Sequence, residues 1–210
     1  MGVELWLVRH GETAWSLSGQ HTSTTDIPLT DHGRKRAEEL RDYLAGRKFA
    51  AVFTSPRQRA IETCKIAGYG DVAVIEPGLQ EWNYGEAEGK TTPEMRQIYG
   101  PDWSVWSSPL KGGETPDEVG VRADAVIAKA LAAVASQPGS ENPDPGHPKT
   151  LQAVALFAHA HILRILAARW IGLPAVDGKN FGLGTGSVSV LGFERETRVI
   201  EKWNRGFEGD

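Results

Sequence analysis

The sequence predicts an α/β protein, built as a three-layer α/β/α sandwich around a mostly parallel central sheet. Short apolar runs that suit buried strands alternate along the chain with amphipathic stretches that suit helices. Four of these runs lead into residues that carry chemistry, as is typical of the carboxyl ends of parallel strands. The chain has 210 residues, of which 40% are hydrophobic, and we therefore predict a single domain over residues 1–210.

The N-terminal third supplies the first two strands and the first helices. We predict a strand over Val3–Val8, followed by a polar loop over residues 11–29 whose length suits a functional role. A helix follows with Thr30 as its N-cap. After a second strand over Phe49–Thr54, the pair Ser55-Pro56 predicts a helix with proline at its first position.

A third strand over Val72–Ile75 precedes an irregular insertion over residues 82–116 that is rich in tryptophan, glycine and proline. This insertion is either a lid over a cleft or a local cluster that packs the loop down. Four prolines and two glycines predict a mobile linker over residues 136–149. The remaining predicted elements are a helix over Asp117–Val134, a strand over Leu151–Ala158, a helix over Ile162–Ile171, and a hairpin of Ser187–Phe193 with Thr197–Trp203.

Composition excludes several classes of protein. The net charge of −4 argues against nucleic-acid binding, and no apolar run approaches the roughly 20 residues that span a membrane. The single cysteine, Cys64, excludes an internal disulfide, and we expect it to be a small core residue. We therefore expect a cytoplasmic protein without a nucleic-acid or membrane partner, and a homodimer through an edge strand or apolar helix face is open.

The chemistry-bearing residues recur at one topological position. Arg9 and His10 directly follow the first strand, where arginine can grip an anion and a neutral imidazole can act as nucleophile or base. Gly11 allows a sharp turn that brings backbone N–H groups near a ligand. Arg59, Glu81 and His159 follow three other strands. The topology therefore predicts that these side chains converge on one edge of the sheet.

These motifs, taken together and in order, resemble those of the histidine phosphatase superfamily, which contains the cofactor-dependent phosphoglycerate mutases. The loop over Ser18–Asp26 is further similar to that of sugar-phosphate phosphatases of the sedoheptulose-bisphosphatase type. The matching motifs are Leu7-Val8-Arg9-His10-Gly11-Glu12-Thr13, Ser55-Pro56-x-x-Arg59-Ala60-x-x-Thr63, Leu79-x-Glu81-x-x-x-Gly85-x-x-Glu88-Gly89, Gly112-Gly113-Glu114 and His159-x-x-x-x-Arg164.

The resemblance implies a phosphoglycerate mutase-like fold and a set of site residues. His10 would attack phosphorus and become a phosphohistidine, and Glu81 would protonate the leaving alkoxide and then activate water. His159 would lie beside the phosphoryl group and be protonated when the dianion is bound. No metal or other cofactor is implied. The implied phosphate-binding residues are Arg9, Arg59, Ser16, Thr22 and Ser23, and the implied substrate-binding residues are His21, Tyr84 and Ala160.

Two positions depart from the family pattern. The residue after the second histidine is usually glycine in the family, and a positive φ at Ala160 would cost strain. The mutases usually have asparagine where this chain has Ser16, whose shorter side chain can still donate one hydrogen bond to phosphate. Because this part of the mutase motif is only partly kept, the resemblance favours hydrolysis over phosphoryl transfer.

We therefore predict a metal-independent phosphomonoester hydrolase that acts on small phosphorylated metabolites, namely sugar phosphates or bisphosphates. One alternative is a phosphoglycerate mutase-type phosphotransferase. Another is a metallohydrolase that uses His159-x-His161 as a metal pair, although we expect His161 to have a supporting role and His32 and His147 to lie in solvent. A third is a phospho-ligand-binding or phosphoprotein-interacting module without catalysis.

Overall fold

The computed structural model describes residues 2–136 and 152–206. Its described strands are β1 (Val3–Arg9), β2 (Ala51–Thr54), β3 (Ala73–Ile75), β4 (Gln152–Ala158), β5 (Val188–Glu194) and β6 (Thr197–Arg205). These strands form one sheet in the order β3-β2-β4-β1-β5-β6. The first four of these are mutually parallel, whereas β5 runs antiparallel to β1 and β6 runs antiparallel to β5. The predicted mostly parallel sheet is confirmed, and the predicted C-terminal hairpin forms its antiparallel edge.

Helices cover both faces of this sheet. They are α1 (Ala14–Ser18), α2 (Asp31–Leu44), α3 (Gln58–Ile66), α4 (Thr92–Tyr99), α5 (Pro116–Ala135) and α6 (Ala160–Trp170). Alternate residues of β1 point to opposite faces, because side chains along a strand have a period of two. Leu5 and Leu7 pack in the cluster that contains α5 and α6, while Trp6 and Val8 pack with α2 and α3. The three-layer sandwich is therefore confirmed.

Two helices lie in stretches that were predicted to be irregular. Both α1 and α4 begin at a capping box, in which Thr13 is paired with Ser16 and Thr91 with Glu94. The predicted start of α3 was also wrong, because the helix begins at Gln58 instead of Pro56. Most of the predicted linker over residues 136–149 lies outside the described residues.

The composition-based expectations about Cys64 agree with the structure. Cys64 is buried in α3, and burial raises the pKa of its thiol to about 12, which keeps it unreactive. Cys64 therefore contributes packing, as expected from its position in a helix.

Within residues 2–136 and 152–206, no helix is both long and apolar enough to cross a membrane.

Two glycines bring the loop after β1 into close contact with α2. A Cβ on Gly11 would lie 2.4 Å from the carbonyl oxygen of Gly33. The Gly11 N–H donates to the Thr63 hydroxyl at 3.0 Å, so it is already used within the protein. The expectation that Gly11 offers its N–H to a ligand is therefore corrected: glycine is needed here because the two backbones pack against each other.

Replacing Gly33 with alanine is expected to lower the free energy of unfolding by about 3 kcal/mol, because overpacking a rigid contact forces the backbone to shift. The new Cβ would lie 2.3 Å from the carbonyl oxygen of Glu12. Denaturant titration measures this loss. The matched control is Gly182→Ala, where no atom lies within 4 Å of the added carbon. Equal stability of the two variants would contradict the prediction.

Candidate active site

A cavity of about 300 Å³ opens at the carboxyl edge of the parallel strands. Arg9 is the last residue of β1 and His10 follows it, and both line the cavity. His159 follows β4 and is fully buried, outside the lining of the cavity. The loop before α2, the segment over residues 104–106 and the start of α6 complete the walls. The topology thus brings the predicted chemistry to the expected edge of the sheet.

The imidazole of His10 is held with one nitrogen free. Its Nδ1 lies 2.7 Å from the carbonyl oxygen of Gly11, which can only accept, so Nδ1 carries the proton. Nε2 makes no hydrogen bond to any described residue, and the ring lines the cavity. Burial holds the pKa of His10 well below its usual value, and Arg59 and Arg9 reinforce this direction. His10 is therefore neutral, with the Nε2 lone pair available toward the cavity.

Arg9 presents an unsatisfied cation to the same cavity. One terminal nitrogen of its guanidinium donates to the carbonyl of Leu183, whereas Nε is buried without a hydrogen-bond partner in the described chain. Burial lowers the pKa of Arg9 to about 10, despite the attraction of Glu81. A buried donor without a partner is costly. Arg9 also lines the cavity, where its charge favours a bound anion.

His159 lies behind His10, and their ring centroids are 5.1 Å apart. Arg59 donates from Nε to Nδ1 of His159 at 3.1 Å, so this nitrogen carries no proton. Nε2 of His159 then donates to the hydroxyl of Ser55 at 2.7 Å. Burial, followed by the charge of Arg59, holds the pKa of His159 well below its usual value. The ring is thus neutral here, and its protonation beside a bound dianion stays a prediction.

The carboxylate of Glu81 lies at the N-terminus of α6. Its Oε1 accepts the backbone N–H groups of Trp82 and Ile162, each at 2.9 Å, and its Oε2 accepts that of His161 at 3.0 Å. A negative charge is favoured at a helix N-terminus, where N–H groups lack partners within the helix. Glu81 lines the cavity, and Oε2 keeps a lone pair that can hold a proton.

The loop over residues 22–25 is held by hydrogen bonds to two charged side chains. Arg59 donates to the carbonyl groups of Thr22, Ser23 and Thr25 at 3.1 to 3.3 Å. The carboxylate of Glu88 accepts the N–H groups of Ser23 and Thr25 at 2.9 to 3.0 Å. A cation on the carbonyl side and an anion on the N–H side therefore fix this loop against the site.

Glu88→Ala removes the carboxylate that accepts from this loop. It is expected to lower kcat/KM about tenfold, mainly by raising KM. Hydrogen bonds to charged groups are worth roughly 1.5–3 kcal/mol, and their loss frees the loop that borders the cavity. Steady-state kinetics measures the effect. Glu86→Gln is the matched control, since Glu86 lies on the same turn but accepts from Tyr99 instead. A Glu88 variant that behaves like the control would contradict the prediction.

The three predicted phosphate-binding hydroxyl groups all donate within the protein. Ser16 lines the cavity, and its hydroxyl donates to the Thr13 carbonyl at 2.9 Å and accepts the Thr13 N–H in the cap of α1. Thr22 also lines the cavity, and its hydroxyl donates to the carbonyl of Gln20. Ser23 is buried with its hydroxyl turned to the carbonyl of Glu81. Each hydroxyl would have to exchange its present acceptor to donate to phosphate, and the three contacts stay predictions.

The three predicted substrate-binding residues all line the cavity. His21 and Tyr84 are buried with their ring centroids 5.0 Å apart. Ala160 is the first residue of α6 and has ordinary helical geometry, because positive φ among described residues other than glycine occurs only at Arg195 and Asn204. The expectation of backbone strain at Ala160 was therefore wrong.

The tryptophan-rich insertion packs onto the site. Trp106 lines the cavity and contacts Trp82 edge to face, with ring centroids 5.3 Å apart. Trp103 is buried, with its ring 5.7 Å from that of His21. The insertion thus forms one wall of the cavity, and lid motion stays a prediction.

The sequence analysis assigned no role in the site to Ser55 or Glu88, although both lie in the motifs of the resemblance. Ser55 accepts from His159, and Glu88 fixes the loop over residues 22–25. His161 lines the cavity and bonds to Tyr84, so His159 and His161 hold different partners and do not form the suggested metal pair. No group of three or more metal-ligating side chains occurs among the residues that the structure describes.

Comparison with known proteins agrees with this geometry. The family model described as the histidine phosphatase superfamily (branch 1) matches residues 5–206. An acid phosphatase of Mycobacterium tuberculosis is 38% identical over 205 residues, covering 95% of this chain and 93% of that protein. The sedoheptulose 1,7-bisphosphatase of Saccharomyces cerevisiae is 34% identical over 191 residues, covering 80% and 67%.

Solved structures show the same architecture. An open reading frame product of Mycobacterium tuberculosis has a TM-score of 0.83 at 36% identity, and the match covers 97% of each chain. The phosphoglycerate mutase-like fold implied by the resemblance is thereby confirmed. The chain belongs to branch 1 of the histidine phosphatase superfamily and is a phosphatase of that family.

Proposed function

We propose that this protein hydrolyses small phosphorylated metabolites, specifically sugar phosphates or bisphosphates, through a phosphohistidine on His10 and without a metal ion. The observation that carries the proposal is the state of His10. Its Nδ1 proton is donated to a carbonyl 2.7 Å away, which leaves the Nε2 lone pair free in the cavity that Arg9 also lines. A neutral imidazole with a fixed tautomer is suited to nucleophilic attack.

The first half-reaction transfers the phosphoryl group to the enzyme. Nε2 of His10 forms a bond to phosphorus as the ester P–O bond breaks, and the leaving alkoxide takes the proton held on Glu81. Arg9 donates to the phosphoryl oxygens, on which charge spreads in the transition state. The second terminal nitrogen of Arg9 has no hydrogen-bond partner among the described residues and is not fully buried, so it is available for this task without breaking an existing bond.

Arg59 and His159 contribute from behind His10. All of the carbonyl groups that Arg59 holds belong to the loop over residues 22–25. To bind a phosphoryl oxygen, the guanidinium has to use its remaining N–H or exchange one of these carbonyls. Release of the Arg59 bond to His159 would free Nδ1 to take a proton and donate to the same group.

The second half-reaction releases phosphate. Glu81, now deprotonated, takes a proton from water, whose oxygen attacks phosphorus as the bond to Nε2 of His10 breaks. The same carboxylate therefore serves both halves. Its three backbone hydrogen bonds hold it in position between them.

Two observations favour hydrolysis over mutase-type transfer. The hydroxyl of Ser16, where the mutases usually have asparagine, is occupied in the cap of α1. Two relatives that match most of the chain are named an acid phosphatase and a sedoheptulose 1,7-bisphosphatase. Both names describe phosphatases, and the second names a sugar bisphosphate.

Phosphate release with a chelator present tests the proposal. The panel contains sugar phosphates, sugar bisphosphates, phosphoglycerates and phosphorylated amino acids. We expect release from a few related sugar esters. Isomerised phosphoglycerate without released phosphate would indicate a mutase. No activity toward any of the small molecules would favour a phosphoprotein-interacting module. Loss of activity with chelator would contradict the metal-independent step.

A further inference from the structure

We propose that His161 determines specificity by donating a hydrogen bond from Nε2 to a hydroxyl of the leaving group, so that the site selects phosphate esters of polyols and sugars. This inference rests on the proposed function and assigns its substrate preference to one side chain. It concerns the part of the substrate that is not phosphate.

The orientation of the His161 ring is fixed by Tyr84. Nδ1 of His161 lies 2.5 Å from Oη of Tyr84. Burial, reinforced by the charge of Glu81, holds the pKa of Tyr84 well above its usual value, so the phenol keeps its proton. We assign that proton to the bond with Nδ1 of His161. The proton of the imidazole is then on Nε2, at the opposite side of the ring.

This Nε2–H group is exposed to the cavity. It has no hydrogen-bond partner in the described chain, and it is not among the fully buried polar atoms that lack one. The ring is packed edge to face against Trp106, with centroids 5.0 Å apart, and against Trp82 at 5.9 Å. The two tryptophans pack against the His161 ring, and the Nε2–H group is therefore left facing the cavity.

The position of His161 places this donor next to the leaving group. The backbone N–H of His161 donates to Oε2 of Glu81 at 3.0 Å, so the residue that carries the donor also holds the proposed acid. The leaving oxygen has to lie beside Glu81 to receive its proton. A hydroxyl on the neighbouring carbon of a polyol then lies on the His161 side.

Charge explains why a hydroxyl is the expected acceptor. Burial, followed by repulsion from Arg164, holds the pKa of His161 well below its usual value, so the ring is neutral. A neutral donor matches an uncharged hydroxyl, whereas Arg9 already meets the phosphoryl group. A substrate without the hydroxyl leaves the donor without a partner, and sites of this kind discriminate against such analogues.

The test compares kcat/KM for glycerol 3-phosphate with that for n-propyl phosphate, which lacks the hydroxyls. The ratio of the two values is measured for the wild type, His161→Phe, His161→Gln and Tyr84→Phe. Comparing each variant's ratio with that of the wild type cancels the different basicity of the two leaving groups. Phenylalanine fills the aromatic cluster without a donor, and glutamine keeps an N–H.

We expect the ratio to fall about tenfold in His161→Phe, the effect of one neutral hydrogen bond. Tyr84→Phe, which releases the ring, should lower it as well, while His161→Gln should keep most of it. An unchanged ratio in His161→Phe and Tyr84→Phe, or equal losses in the phenylalanine and glutamine variants of His161, would overturn the inference. A wild type that releases phosphate from neither these two esters nor any sugar ester of the panel above overturns the proposed function instead.

Discussion

Replacing His10 with alanine is expected to lower phosphate release from every substrate by at least about 10⁴-fold, because the variant has no atom that can take the phosphoryl group. The variant should fold, since among the described residues the ring bonds only to the adjacent carbonyl of Gly11. Within that part of the chain, removing this imidazole, which lies near two guanidinium groups, breaks no ion pair. Kinetics and thermal melting of the same preparations measure the two effects.

Trapping the intermediate makes this test specific. Wild-type enzyme quenched in base during turnover should carry one phosphoryl group, stable to base and labile to acid, on the peptide that contains His10. His32→Ala is the matched control, because this exposed imidazole contacts only Glu12 at 3.2 Å. We expect full activity and full labelling in the control. A His10 variant that still turns over, or a label on another residue, would refute the phosphohistidine.

The second large effect is expected for Glu81→Gln. Loss of the acid should lower kcat/KM about 10³-fold for alkyl phosphates but only about tenfold for aryl phosphates, because a phenolate leaves without full protonation. The amide also loses one of the two acceptor oxygens that hold the N-terminus of α6, so part of the loss is positional. The positional loss of kcat/KM should be the same for alkyl and aryl phosphates. The difference between the two losses therefore measures the contribution of Glu81 as a general acid.

The second half-reaction separates the two roles further. If Glu81 also activates water, the glutamine variant should accumulate phosphoenzyme, seen as a burst of aryl alcohol equal to the enzyme concentration. Rapid-mixing kinetics measures this burst. Equal losses for alkyl and aryl esters, without a burst, would show that Glu81 only positions α6.

The sequence predicted the buried strands, whose continuous apolar runs are easy to recognise. The apolar runs of β1 and β4 are continuous because both faces of the sheet are covered, and the residues that follow them, His10 and His159, meet at a ring distance of 5.1 Å. Arg59 lies early on α3 as predicted. Strand ends are thus good predictors of where side chains converge.

Local hydrogen bonds account for what was missed. Thr13 and Ser16 form a capping box, so a five-residue helix forms without any periodic pattern and consumes the hydroxyl that was predicted for phosphate. The same motif at Thr91 and Glu94 begins α4 and was legible in the sequence. Ala160 is unstrained because it opens a helix, a boundary that the sequence analysis placed two residues too late.

The guanidinium group of Arg9 has a consequence for the end of the catalytic cycle. Its charge is buried, Glu81 offsets it only in part, and its Nε has no partner in the described chain. Inorganic phosphate presents the same oxygens and charge as the group by which a substrate is held. The product therefore competes for the donors that recruit the substrate, and turnover slows as phosphate accumulates.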